Sequence, residues 1–127
     1  MFALSQRSLQ RLNGVHPDLV SVVQRAIDLT AIDFTILEGV RTVARQQQLV
    51  ASGASQTMNS RHITGHAVDL GAILDGELRW DWPLYYQLAD AMKAAASELG
   101  IPIEWGGDWQ SFPDGPHFQL PWSLYPA

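Results

Sequence analysis

The sequence predicts an α+β fold in a single compact domain, with helices packed on a small antiparallel sheet. Three observations carry this. The chain has 127 residues, one domain's worth, enough to bury a core without disulfide staples. Its apolar share of 46% and charged share of 17% belong to a globular protein rather than a disordered one. Helical and strand patterns mix along it without a steady βαβ rhythm, which argues against a doubly wound sheet. No internal repeat, low-complexity tract or linker interrupts the chain, so residues 1–127 read as one domain.

Each element has a local reason. Ser5 to Leu12 suits a short helix with Leu9 and Leu12 as its apolar side, broken by Gly14. His16-Pro17-Asp18 starts a second helix, since Pro and Asp favour a first turn. Leu19, Val22, Val23, Ala26 and Ile27 then follow at helical spacing to about Thr30. The β-branched and aromatic run Asp33 to Leu37 predicts a strand. Thr42 caps a third helix running to Ala51, Gly53 stops it, and Gly53 to Arg61 is a polar loop. His66 to Ile73 predicts a strand, with Glu77 to Trp80 returning as its hairpin partner across Asp75-Gly76. Pro83 opens the longest helix, which turns Leu84, Leu88, Ala91, Met92 and Ala95 inward and ends at Gly100. Pro102 to Trp105 is a short strand, Gly106 to Gly115 a loop, and His117 to Leu120 the last strand.

Composition removes several function classes. Eight basic residues against thirteen acidic ones leave a net charge of -5, the wrong sign for nucleic acid or anionic lipid. With no cysteine, disulfides, thiolate nucleophiles, zinc ribbons and iron–sulfur clusters are excluded, and a metal site must use His, Asp and Glu. The N-terminus lacks a signal peptide's basic start and apolar stretch, and no apolar run approaches the roughly 18 residues that span a bilayer. The expectation is a soluble, monomeric product made in the cytoplasm, with no nucleic-acid or membrane partner.

Two stretches carry chemistry. In Ser60-Arg-His-Ile-Thr-Gly-His-Ala-Val-Asp-Leu70, Asp69 lies inside an apolar strand. A carboxylate there is costly unless it is paired, hydrogen-bonded or bound to a metal. His62 precedes it across Thr64-Gly65, which can turn the imidazole toward the carboxylate. In the second stretch, His117 and Gln119 share one strand face, and Asp114 stands three residues earlier across Gly115-Pro116. His62, Asp69 and His117 form a three-ligand zinc set with an open position for water, and Asp114 is placed as a general base. On spacing alone, ligation and an ordinary cap-and-turn role stand level.

The pattern Ser60-x-His62-x-x-Gly65-x-Ala67-x-Asp69-Leu70 together with Asp114-x-x-His117 resembles the zinc peptidases of the D-Ala-D-Ala carboxypeptidase and L-alanyl-D-glutamate peptidase group. Gly39-Val-Arg41-Thr-x-x-Arg45-Gln46 is similar to that family's element upstream of the zinc motif. The stretches occur in the family's order over roughly Phe34 to Gln119. The resemblance implies a hedgehog and DD-peptidase-like fold, Zn2+ held by His62, Asp69 and His117, and Asp114 as the catalytic carboxylate. Arg41 falls at the family's arginine that binds substrate or steadies the transition state. Ser60 and Trp109 are further substrate-binding candidates. One departure is that some members use Glu where this chain has the shorter Asp114.

The wording of the motif is most like phage endolysins, which cut the L-Ala–D-Glu bond of the peptidoglycan stem peptide and act on the wall after release. Two alternatives remain: a D-Ala-D-Ala carboxypeptidase of the same fold, and a non-catalytic zinc-containing module that grips peptidoglycan or a protein. Blander expectations attach to other residues. His66, with Gly65 before it, is a surface or substrate-side residue rather than a ligand, and His16 is structural at its helix start. Arg61 is a loop residue, Asp108 holds a turn, and Arg41 has a competing surface partner in Glu38 or Asp33. Trp105 and Trp109 flank the last motif as candidate cleft walls.

Overall fold

Helices begin where a side chain can take an orphan backbone amide. Ser5 accepts from the Ser8 amide ahead of α1 (Gln6–Arg11), His16 Nδ1 from the Asp18 amide ahead of α2 (Pro17–Leu29), and Thr42 from the Arg45 amide ahead of α3 (Val43–Ala51). α4 (Trp82–Leu99) starts at Asp81 without a side-chain cap, carries Pro83 in its first turn, and ends on Gly100 at φ 69°. The strands are β1 (Asp33–Glu38), β2 (Ala67–Leu74), β3 (Glu77–Arg79), β4 (Glu104–Trp105) and β5 (His117–Gln119). This computed structural model describes residues 2–55 and 57–126.

β2 is the organising strand of an antiparallel sheet in the order β1-β2-β5-β4. One edge of β2 pairs with β1, and the other pairs with β5 through Ala67–Asp69 and with β3 through Ala72–Leu74. Alternation along the strands separates two faces. Phe34, Ile36, Val68, Leu70, Phe118 and Leu120 pack into one core with Leu19, Val22 and Val23 of α2 and Leu88 and Met92 of α4. Burying each of these larger side chains contributes about 1.5–3 kcal/mol. Thr35, Asp69, His117 and Gln119 point to the opposite face.

The predicted class and element order hold, and the differences are local. Leu9 is exposed and Ser8 buried, because Ser8 Oγ bonds Thr35 Oγ1 at 3.0 Å and accepts the Ile36 amide at 2.9 Å. α1 therefore docks on β1 through a polar residue. In α4 the buried face is Tyr85, Leu88, Ala89, Ala91, Met92, Ala95 and Ala96, with Leu84 only half-buried. Tyr85 sets that rotation by donating to Arg79 O at 2.7 Å and accepting from the Ala72 amide at 3.2 Å. β4 is shorter than the Pro102–Trp105 stretch, as Pro102 has no N–H to donate. The expected loop after Trp105 includes a single 3-10 turn, Gly106–Asp108.

Candidate metal centre

Strand register brings the first two candidate residues together. Asp69 of β2 stands directly opposite His117 of β5, and cross-strand partners have Cβ atoms about 4.5–5.5 Å apart. On the other edge an irregularity between Ile36 and Glu38 places Glu38 opposite Asp69. The third residue, His62, comes from the turn before β2, closed by the His66 amide on Arg61 O at 2.9 Å. Gly65 in that turn has φ 79°, and a Cβ there would lie 2.5 Å from Gly14 O, so no other residue fits.

His62 Nε2 and His117 Nδ1 each lie 3.2 Å from the same oxygen, Asp69 Oδ1. One ligand atom from each of His62, Asp69 and His117 lies within 4.8 Å of the others, a group able to hold a metal ion. The outer ring nitrogens decide the fit. His62 Nδ1 donates to Gly39 O at 2.8 Å, and His117 Nε2 donates to Gln119 Oε1 at 2.8 Å. With each proton directed outward, the neutral imidazoles turn lone pairs toward a carboxylate. In that neutral form three acceptors converge on one point, which suits a cation, and outward bonds of this kind fix the tautomer of metal-ligating histidines.

Without a cation, a proton between an imidazole and Asp69 Oδ1 takes its place, and the ion-free cluster titrates accordingly. Burial pushes the Asp69 carboxyl up, but hydrogen bonds from His117 and His62, with their charge, outweigh it and hold the group well below the usual carboxylate range. Burial pushes His117 down, and the Asp69 hydrogen bond and charge, then Gln119 and Asp114, raise it overall. Asp114 is raised above its ordinary value, first by the protein packed behind it and then by repulsion from Asp69, with His117, His62 and Arg41 pulling the other way. Its side chain still opens to solvent. A carboxyl raised above its ordinary value and open to solvent can accept a proton from water.

The triad opens into a cleft of about 400 Å³, which Arg41, Ser60, Trp109 and Asp114 also line. Ser60 Oγ accepts the His62 amide at 3.2 Å, so it shapes the turn as well as facing the cleft. The Trp109 ring centroid is 5.1 Å from that of His117. Asp114 is held by its amide on Gly106 O at 2.9 Å, and its carbonyl accepts the His117 amide at 3.2 Å. Arg41 takes its expected partner Glu38 and also lines the cleft. It ion-pairs with Glu38, donates from Nη1 to Gln46 Oε1 at 2.7 Å, and still places Nη2 3.7 Å from Asp69 Oδ2.

Other residues fall outside the cleft. His66 lies apart, its Nδ1 bonded to Thr64 Oγ1 at 2.7 Å and its ring 5.5 Å from His16, which caps α2. Asp108 pairs with Lys93 at 2.9 Å. Trp105 does not wall the cleft: it is buried beneath it, with Nε1 bonded to Gly115 O at 2.7 Å. Sequence reasoning missed three residues. Gln46 is fully buried and ties Arg41 to Ser55 and Thr57 O. Arg61, expected as a plain loop residue, is 2% exposed and bonds carbonyls of the C-terminal segment. Trp122 of that segment lines the cleft. Gln46 and Arg61 sat in quoted stretches without a functional role, whereas Trp122 carries no local signal.

Residues 1–120 match the family model described as phage L-alanyl-D-glutamate peptidase. The L-alanyl-D-glutamate peptidase of Escherichia phage T5 is 37% identical over 89% of this chain and 85% of its own length. The crystal structure of the Serratia marcescens L-Ala D-Glu endopeptidase ChiX superposes with a TM-score of 0.94 at 48% identity, covering 98% of this chain and 95% of that one. The vancomycin-resistance D,D-dipeptidase VanXYg, solved with a D-Ala-D-Ala phosphinate analog, shares the fold alone. Its TM-score is 0.55 at 19% identity, over 84% of this chain and 50% of that one.

Proposed function

Because the chain belongs to the phage L-alanyl-D-glutamate peptidase family, we propose that it is a zinc-dependent peptidoglycan hydrolase cutting the L-Ala–D-Glu bond of the stem peptide. The observation that carries the metal assignment is the convergence of three ligand atoms within 4.8 Å of one another, with the outer nitrogen of each imidazole tied to a protein oxygen. His62, Asp69 and His117 would hold the ion. Zinc bound there supplies a Lewis acid that makes hydroxide available near neutral pH, by lowering the pKa of water to about 7.

The chain's own groups do the rest. Asp114 takes a proton from the attacking water and returns it to the leaving amine. Arg41 is braced by Glu38 and Gln46, so its positive charge is preorganised at the cleft wall. That charge faces the oxyanion developing on the scissile carbonyl, or a stem-peptide carboxylate, without reorganisation cost. Ser60 and Trp109 line the path of the substrate. The two relatives that are 37% and 48% identical bear L-Ala–D-Glu names, while the D,D-dipeptidase likeness concerns fold alone, so the L-Ala–D-Glu bond is the reading preferred over D-Ala–D-Ala.

We take residues 1–127 as one catalytic domain acting as a monomer on the cell wall after release. Among the described residues no helix is long and apolar enough to cross a membrane. The test is digestion of purified peptidoglycan with mass spectrometry of the new termini. New L-Ala carboxyl and D-Glu amino termini support the reading, release of D-Ala supports a carboxypeptidase, and intact peptidoglycan with bound protein supports the binding module.

A further inference from the structure

The family match ends at residue 120, yet the chain beyond it returns to the cleft. Two anchors hold that return. The buried Arg61 guanidinium donates to Leu120 O at 3.1 Å and 3.3 Å and also to Tyr125 O. At the far end Tyr125 Oη donates to Asp18 Oδ2 of α2 at 2.7 Å. Between them, the Leu124 and Tyr125 amides fold back on Pro121 O at 3.3 Å and 3.0 Å. A tail pinned at both ends is already ordered before a ligand arrives, which removes an ordering cost from binding.

Trp122 is the side chain this arrangement displays. Its ring centroid lies 4.1 Å from the Arg61 guanidinium carbon, a cation–π contact that seats one face of the indole. The side chain nevertheless remains 42% exposed and borders the cleft shared by the metal triad, Ser60 and Asp114. It is not one of the three converging acceptors. A large apolar plane held beside reacting groups, but outside them, packs on whatever flanks the reacting bond. An L-Ala–D-Glu bond is flanked by an alanine methyl and the aliphatic carbons of glutamate, and these with the peptide planes are the surfaces that a flat indole can cover.

We propose that Trp122, mounted on Arg61, is a specificity-determining residue that contacts the peptide flanking the scissile bond. This rests on the peptidase reading above. The test compares Trp122→Ala and Trp122→Phe with the parent on a soluble stem peptide, measuring kcat, KM, zinc content and Tm. Binding of the same peptide is measured by calorimetry in an Asp114→Asn background, where turnover does not interfere. Trp122→Ala should raise KM and Kd on the order of ten-fold, with kcat, zinc content and Tm close to the parent, and Phe should restore most of the loss. Unchanged KM and Kd in Trp122→Ala would overturn the proposal, and so would a loss confined to kcat, zinc or Tm, which marks a structural role. If the parent leaves the peptide uncut, the peptidase reading fails, while the calorimetric comparison still decides the Trp122 contact.

Discussion

Leu70 and Asp69 are neighbours on β2, and they belong to two different kinds of structure. Leu70 is fully buried among the side chains of β1, β5 and the two long helices, where its contacts are many, weak and interchangeable. Asp69 points the other way and has few contacts, each made by a specific atom: His62, His117 and Arg41. The helix-covered face needs volume and apolarity, so several residues could fill it. The cleft face needs particular donors and acceptors at fixed distances, and its supporting bonds to Gly39 O and Gln119 are as specific as the triad itself. The two faces should therefore fail in different ways.

The largest expected effect is metal loss. Purified protein should carry about one zinc per molecule, and His62→Ala, Asp69→Ala or His117→Ala should each lose both zinc and peptidoglycan cleavage, since three ligands are the minimum for an open catalytic site. Full metal content in all three variants would remove the site assignment and dissolve the contrast with Leu70. Next comes Asp114→Asn, which should keep zinc and fold while turnover falls on the order of 10²–10⁴-fold. The parent's kcat/KM should fall on the acid side as Asp114 takes up a proton, and the Asn variant should lack that limb.

On the apolar face, Leu70→Ala should cost about 2–5 kcal/mol of stability by chemical denaturation. Zinc content and kcat per folded molecule should hardly move. A kcat loss matching that of the Asp114 variant would mean that the two faces are coupled through β2 rather than separate. Gln119→Leu tests the supporting layer of the polar face. Freed from its Gln119 acceptor, His117 is less well oriented, and zinc affinity measured by chelator competition should fall about 10–100-fold. An unchanged affinity would show that the outward bond does not orient the ligand.

The same contrast explains what could be read from the sequence. The core face was legible because alternation in β2 and helical spacing in α2 report burial directly. The His62–Asp69–His117 cluster was half legible, since a carboxylate in an apolar strand is costly unless partnered, but spacing left ligation level with a cap-and-turn role until the family motif favoured it. Arg61 was not, because its partners are backbone carbonyls 59 and 64 positions away, and any residue type supplies a carbonyl. Ser8 and Tyr85 likewise bond backbone atoms of strands distant in sequence, which turns their helices away from the face that side-chain hydrophobicity suggests. Trp105 and Trp109 look alike in sequence, and tertiary contacts separate them: Trp105 bonds Gly115 O and stacks on Phe118, whereas Trp109 lies against His117.

The smallest predicted effect sits on the boundary between the two faces and concerns stability rather than turnover. In the metal-free protein the Asp114 carboxyl is raised above its ordinary 3.8, chiefly by burial and then by Asp69. A carboxyl with a raised folded-state pKa favours folding in its protonated form. Its stabilising contribution is complete below the unfolded value and is lost as pH rises through the folded one. At neutral pH the ionised Asp114 therefore opposes folding relative to a neutral amide. Metal-free Asp114→Asn should melt slightly higher than the metal-free parent near pH ~7, by a few degrees at most because the side chain is solvent-open. The gap should close as pH drops to about 3, where both proteins carry a neutral group at this position. A variant that melts no higher near neutrality, with a gap that does not change with pH, would mean that Asp114 is not disfavoured as an anion, and its selection as the base would then rest on position alone.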